Sequence, residues 1–344
     1  MKSLIKSLVI LVFVIIAVCP LSCRLTEKGI TLYNVNNYEC PRIEIFSVTG
    51  SETASLCFSK KVSLDGCIVS PEIGSVFCSQ KDCSPGENLF IYEIAFSRRC
   101  NAGKKYSLTG IATDSIGNSL TFSLPFKGFN ENIPVLEITE IHPKYASSKR
   151  KAGTVYKGEY VEFFVKSCGN LAGLELRSAH DGMDKVYEFP AVEVRKGEVI
   201  VVHLRSKTEG AVSELEEKLS LSTEYYSSDE ARDLWAENDS ARLGDDMDVL
   251  CLVNSFTEEL IDGVCYAKSE MTEWKDDFMA GMAKKLNDSG LWKGTSVSEA
   301  VCIDGLTSSK SIVKNESGRA ASCWSVSKAG GETPGKIDFD ITIE

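Results

Sequence analysis

Between Glu39 and Asn130 apolar and polar positions alternate over short distances. Ala54, Leu56 and Phe58 are separated by Ser55 and Cys57, and residues 89–96 form a second strand-like run rich in Phe, Ile and Tyr. Gly66, Pro71, Gly74, Pro85, Gly86, Gly103 and Gly117 punctuate the segment. Alternation puts successive side chains on opposite faces of a strand, and short strands with frequent turn residues predict a β-sandwich over 39–130. The run PFKGFNENIP from Pro125 to Pro134 combines residues that interrupt regular structure, and marks a domain boundary. Strand-like runs then resume: GEYVEFFVKS from Gly158, YEFPAVEVRKGEVIVVHL from Tyr187 and MDVLCLVNSFTEELIDGVCY from Met247. They predict a second sandwich over 134–340.

Two insertions in this second domain, between Leu204 and Gly244 and between Lys268 and Val301, have helical character. In the latter, Trp274, Phe278, Met282 and Leu286 recur every four residues, with Lys275, Asp276, Asp277, Lys284 and Lys285 between them. That is one apolar stripe on a helix, expected to pack on the sandwich. A partner-binding or membrane-surface helix is the sharper reading. Insertions on a sandwich lie at its ends or edges, where function tends to sit, so these four residues are the candidate interaction surface.

The first residues bear on compartment. Lys2 and Lys6 precede an apolar run from Leu8 to Val18, followed by Pro20, Leu21, Ser22 and Cys23. A basic start, a short apolar middle and a small residue before a cleavage point predict a secretion signal over 1–23. A cysteine directly after that small residue resembles the lipid-bearing first residue of mature bacterial lipoproteins, with Pro20 where Leu is usual. Cys23 is therefore the lipidation candidate; an ordinary signal peptide with an unmodified cysteine is the alternative. Residues 24–38 show little periodicity and are expected to be a tether, reaching on the order of 50 Å when extended.

The chain has 344 residues, 43% hydrophobic and 25% charged, as in a globular protein of two domains. A net charge of −11 argues against broad attraction to nucleic acid. Export changes the meaning of the thirteen cysteines. Cys40, Cys57, Cys67, Cys78, Cys83 and Cys100 cluster and are the disulfide candidates, their pairing open. A structural metal is the weaker rival, because the cluster has neither paired Cys-x-x-Cys knuckles nor a histidine.

Two resemblances add to this reading. Gly103, Tyr106, Leu108, Gly110, Ala112, Asp114, Gly117 and Asn118, followed by Phe122, resemble the last strands of bacterial immunoglobulin-like modules. Asp114 is read there as a turn cap ahead of a calcium ligand. From Pro134 to Lys336 the order of motifs resembles the lamin-tail domain, an immunoglobulin-like sandwich. Ile138, Glu140 and Ile141 form its first strand motif; Glu159, Tyr160, Val161, Glu162 and Phe163 form the second. Asn170, Leu171, Gly173, Leu174 and Leu176 follow, with Asn170 in place of an acid, then Asp248, Leu250 and Leu252, and finally Trp324 with Thr333, Pro334 and Gly335. The two-module layout looks like a family of spirochaete lipoproteins. These resemblances imply a mainly β fold: two tandem immunoglobulin-like β-sandwich domains, the second with inserted helices.

The chain carries no phosphate loop, no G-x-S-x-G elbow and no H-E-x-x-H. The three histidines, His142, His180 and His203, are read as surface or structural, since His180 beside Asp181 on a turn does not make a base and its partner. Asp245, Asp246 and Asp248 crowd together, but Asp248 starts a strand and is expected to close its turn, so no metal site is assigned. Glu214, Glu216, Glu217, Asp229 and Glu230 are read as solvated helix faces, and the basic run from Lys144 to Lys157 as a solvated loop. No catalytic residue, metal or cofactor is implied. The expectation is an exported, lipid-anchored, non-catalytic protein of the bacterial cell envelope, on its periplasmic face or surface. It meets the membrane through its lipid and binds an unknown protein or glycan, but no nucleic acid. An envelope assembly subunit and a hydrolase with an unrecognised site are the alternatives.

Overall fold

A computed structural model describes residues 39–81, 89–150, 153–182, 185–205, 208–237, 243–337 and 339. The residues of the expected secretion signal and tether, 1–38, with the lipidation candidate Cys23, and the disulfide candidate Cys83 lie outside the described residues. The fold is mainly β and sandwich-like. The chain divides into two compact units: one runs to Arg99 and takes in Lys105–Phe126, the other comprises Cys100–Lys104 and the chain from Lys127 onward.

The first unit is a seven-stranded sheet: β1 (Ile43–Gly50), β2 (Thr53–Phe58), β5 (Phe90–Phe96), β4 (Gly74–Gln80), β3 (Val62–Ser70), β6 (Lys105–Asp114) and β7 (Ser119–Lys127), in that spatial order. The rings of Phe46 on β1 and Phe126 on β7 lie 5.8 Å apart, so the outermost strands face each other and the sheet doubles over a shared core. Alternate residues supply that core, among them Leu56, Phe58, Ile94 and Leu108, each fully buried. Pro125 falls inside β7 rather than in a break; an outermost strand tolerates a residue that cannot donate to a ladder. At the β6–β7 turn Asp114 Oδ1 accepts the amides of Ile116 at 3.1 Å and Asn118 at 2.9 Å.

In the second unit, a six-stranded sheet runs β17 (Arg232–Trp235), β16 (Val199–His203), β11 (Tyr160–Val165), β8 (Leu136–His142), β21 (Ile312–Lys314), β22 (Trp324–Val326). A five-stranded sheet runs β14 (Lys185–Glu188), β13 (Leu174–Ser178), β18 (Met247–Asn254), β19 (Glu259–Ala267), β20 (Val301–Cys302). Ile138, Phe163, Leu174, Leu176, Val202, Leu250 and Val264 from both sheets share one buried core. A hairpin of β9 (Ala146–Arg150) and β10 (Gly153–Lys157), and a short pair of β12 (Gly169–Asn170) with β15 (Glu193–Val194), complete the strands. Gly173 turns the chain into β13 at φ +86°, where a Cβ would lie 2.2 Å from the Phe256 ring.

The helical expectation holds for one insertion and fails for the other. Helix α1 (Asp277–Asp288) forms in the second, its N-cap Asp276 accepting the Met279 amide at 2.8 Å. The first insertion is not helical among its described residues; it is a chain of turns ending in β17, which pairs parallel to β16. The reason is Glu214. Fully buried instead of solvated, its carboxylate accepts the amides of Leu221 at 2.8 Å and Asp233 at 3.0 Å. A side chain that takes backbone donors in this way organises a loop, and competes with the helix it was expected to decorate. Glu216, Glu217, Asp229 and Glu230 are exposed, as expected of them.

Candidate functional site

A buried gathering of titratable groups in the second unit lies where β8 and β11 pair. Glu140 and Glu162 stand directly opposite each other in that register, each about 1% exposed. Tyr160 donates to Glu140 Oε1 at 2.6 Å, and Thr139 donates to Glu162 Oε1 at 2.6 Å. The C-terminal Thr-Pro-Gly turn supplies the rest: the Thr333 amide donates to Glu140 at 3.2 Å and the Gly335 amide to Glu162 Oε2 at 2.7 Å. Burial raises the Glu140 carboxyl above its ordinary range; burial, then the neighbouring Glu140 charge, pushes Glu162 up to about 8. Two carboxyls with raised pKa values are the raw material of acid–base chemistry. Here their oxygens are engaged by donors of the chain itself, so the pair acts as a clasp on the C-terminal segment. Beside it opens a cavity of about 560 Å³, lined by Thr139, Glu140, Glu162 and Thr333 of the clasp and by Lys314, Asn315, Lys328 and Lys336.

The neighbouring strand residues are locked in the same way. Glu159, pushed up to about 7 by burial, accepts Arg205 at 2.7 Å and the Leu243 amide at 2.9 Å. Asp248, fully buried, accepts Ser178 at 2.6 Å and the Gly244 amide at 2.9 Å, closing the turn into β18. Asp245 and Asp246 face Lys144 at 3.5 Å, and Lys268 reaches Asp246 at 2.9 Å. Among the described residues no group of three or more His, Cys, Asp or Glu side chains could hold a metal ion.

Two histidines belong to a buried ring cluster. His142 stacks on Tyr160 with centroids 5.2 Å apart, and its Nδ1 lies 3.0 Å from the Gly158 carbonyl, which makes Nδ1 the protonated nitrogen. Burial lowers its pKa to about 4, so the ring is neutral at pH 7. His203 hydrogen-bonds Asp233 at 2.7 Å and stacks on Trp235 at 3.9 Å, an arrangement of residues far apart in sequence that motif reading did not find. His180 follows β13 in a short turn and is half-buried.

The expected interaction surface on the stripe is corrected. Met282 and Leu286 are core residues together with Met279 and Ala283, and a Cβ on Gly263 of β19 would lie 2.4 Å from Leu286. Trp274 precedes α1 and donates its indole N–H to the Thr295 carbonyl at 2.8 Å. Of the four, Phe278 alone is prominently exposed. The four-residue spacing drifts around the helix, whereas burial follows the positions Met279, Met282, Ala283 and Leu286.

A different apolar surface lies on the first unit. Phe77 is 72% exposed, Ile68 44% and Ile111 42%. Ile68 pairs with Ser75 of β4 and Thr109 of β6; Phe77 and Ile111 lie two residues further along those strands, so all three project from one face of neighbouring strands. The signal was present: Phe77 alternates with Val76 and Cys78, which puts it opposite the inward positions.

Of the disulfide candidates, Cys67 and Cys78 are brought together on neighbouring strands, their thiols within interaction distance of each other. Cys57 is buried on β2, Cys40 is exposed, and Cys100 falls in the second unit, outside the domain to which its position in sequence had assigned it. No disulfide links Cys40, Cys67, Cys78 or Cys100 in the structure. Among the described residues no helix is long and apolar enough to cross a membrane.

Solved structures similar to this chain include the N-terminal part of the bacterial S-layer protein SbsC, 14% identical over 38% of this chain and 42% of that one, with a TM-score of 0.23. A DUF4876 family protein from Bacteroides thetaiotaomicron is 11% identical over 79% and 90% of the two chains, with a TM-score of 0.28. Likeness this slight leaves fold and function to be argued from the chain's own residues. An uncharacterized protein of Treponema pallidum (strain Nichols) is 30% identical over 155 residues, 45% of this chain and 37% of that protein, so the match spans well under two thirds of the relative. Residues 134–326, more than half of the chain, match the family model TP_1001_2nd, described as a protein second domain. By that match the chain belongs to the TP_1001 second-domain family.

Proposed function

We propose that this is an exported, lipid-anchored, non-catalytic β-sandwich protein that binds another protein at the cell envelope. Its two units are read as an immunoglobulin-like module followed by a lamin-tail-type domain. The observation that carries the binding reading is the outward apolar strip of Ile68, Phe77 and Ile111. Large apolar side chains clustered on one sheet face mark interaction surfaces. Aliphatic groups flanking one phenyl ring suit the apolar side chains of a protein better than the hydroxyl-rich faces of a glycan. The non-catalytic reading is supported by the clasp, whose carboxylate oxygens are taken by Tyr160, Thr139, Thr333 and Gly335. The lamin-tail reading is supported by the same contacts, because they join three of the motifs that carry the resemblance.

Two measurements test the proposal. Cys23→Ala is expected to move the protein from membrane to soluble fractions, since two or more acyl chains anchor where none would; retention of the variant in membranes overturns the anchor. A photo-crosslinking amino acid at position 77 is expected to give a discrete adduct with another protein in intact cells, and one at exposed Glu217 none. An adduct only with a second copy of the chain identifies an assembly subunit instead. No adduct, or equal labelling from both positions, refutes the binding surface.

A further inference from the structure

We infer that Cys67 and Cys78 close an intramolecular disulfide that joins β3 to β4. The register places both thiols on the inward face. Ile68 pairs with Ser75 and Val69 with Gly74, so Cys67 and Cys78 share the side of the sheet occupied by buried Val69 and Ile94. The thiols are already in hydrogen-bond contact, and Cys67 is fenced in, since a Cβ on Gly110 would come within 2.7 Å of its sulfur.

The location explains what the bond would do. β4 pairs with β5 from Val76 to Gln80, but with β3 only at Gly74 and Ser75. Beyond Ser75 the hydrogen-bonded ladder to β3 stops, while β4 goes on with β5, so the halves of the doubled sheet part there. The thiol contact sits just past that point, where a covalent link replaces the missing ladder.

The chemistry needs a disulfide as oxidant. One thiolate of the pair attacks it, forming a mixed disulfide and releasing one thiol; the second cysteine displaces the other thiol. Two S–H bonds and one external S–S bond are exchanged for the Cys67–Cys78 bond and two external thiols.

In cells the inference rests on export to an oxidising compartment, and the test separates the two. The full chain, purified reduced, is equilibrated with a glutathione disulfide buffer, alkylated and peptide-mapped; the same mapping is done on protein recovered from cells under acid quench. The expected result in the buffer is a peptide pair joined at Cys67 and Cys78, with neither residue alkylated. Cys67→Ser is expected to leave Cys78 fully alkylated. Recovery of both as alkylated thiols after equilibration, or joining of either to another cysteine, overturns the inference. Joining in the buffer with free thiols in cell-derived protein leaves the pairing standing and counts against export.

Discussion

Glu162→Gln isolates the energetics of the clasp. The wild-type carboxyl ionises near 4.5 in the unfolded chain and about 8 in the folded one. A folded pKa raised in this way means stability that is complete below pH 4.5 and lost as pH rises through about 8. At roughly 1.4 kcal/mol per pH unit, the loss across that window is on the order of 5 kcal/mol, shared with Glu140 because the two carboxyls titrate as a pair. Gln keeps the shape and the neutral state. Its oxygen can accept the Gly335 amide while its nitrogen donates to Thr139, whose hydroxyl reverses to accept. At pH 4.5 the variant is therefore expected to match the wild type within about 1 kcal/mol. At pH 8.5 it is expected to be more stable by roughly 2–4 kcal/mol. Urea unfolding followed by tryptophan fluorescence reads this directly, because Trp235, Trp274, Trp292 and Trp324, the four tryptophans of the chain, all belong to the second unit. Parallel stability curves for the two proteins between pH 4.5 and 8.5 would refute the reasoning.

Leu286→Ala, fully buried against β19, is expected to cost about 2–5 kcal/mol in the same assay, and Phe278→Ala, on the exposed side of α1, within about 0.5 kcal/mol; equal effects would reverse the assigned faces. Gly173→Ala combines a left-handed backbone with a Cβ inside the Phe256 ring and is expected to destabilise the unit by more than about 2 kcal/mol, read as a lower urea midpoint. His142 works in the opposite direction from Glu162: its pKa is lowered to about 4, so its contribution is complete above about 6.5 and lost as pH falls through 4. Acidification over that range should remove up to roughly 3 kcal/mol, and His142→Gln, whose amide can still donate to the Gly158 carbonyl, should flatten this acid limb.

Strands were legible wherever one face is buried and the other wet, as at Ala54, Leu56 and Phe58, because the alternation is the burial pattern itself. The helix Asp277–Asp288 was legible for its apolar content, but its inward face was misjudged. Trp274 and Phe278 fit a regular spacing, and Met279 and Ala283 did not stand out as core. The stretch 208–237 was illegible for a definite reason: a glutamate reads as a solvated helix residue unless the amides it accepts are known, and those of Leu221 and Asp233 are remote from Glu214 in local pattern. Phe77 shows the converse: it alternates with Val76 and Cys78 on β4, and that alternation points its ring outward.

The same limit of local reading governs the motifs around Glu140, Glu162 and Thr333–Gly335. Each is recognisable alone, yet the hydrogen bond from Thr333 to Glu140 spans 193 positions. Together they explain one another. Two carboxyls facing each other in a buried register need donors to offset their desolvation. The Thr-Pro-Gly turn offers the amides of Thr333 and Gly335, one to each carboxyl, and Pro334 between them has no N–H left unpaired. A hydrophobic pair at Glu140 and Glu162 would bury as well, but would give the C-terminal segment no fixed register against the sheet. The buried acids therefore act as specificity elements: they place the end of the domain at one position on β8 and β11, and they make that placement sensitive to pH.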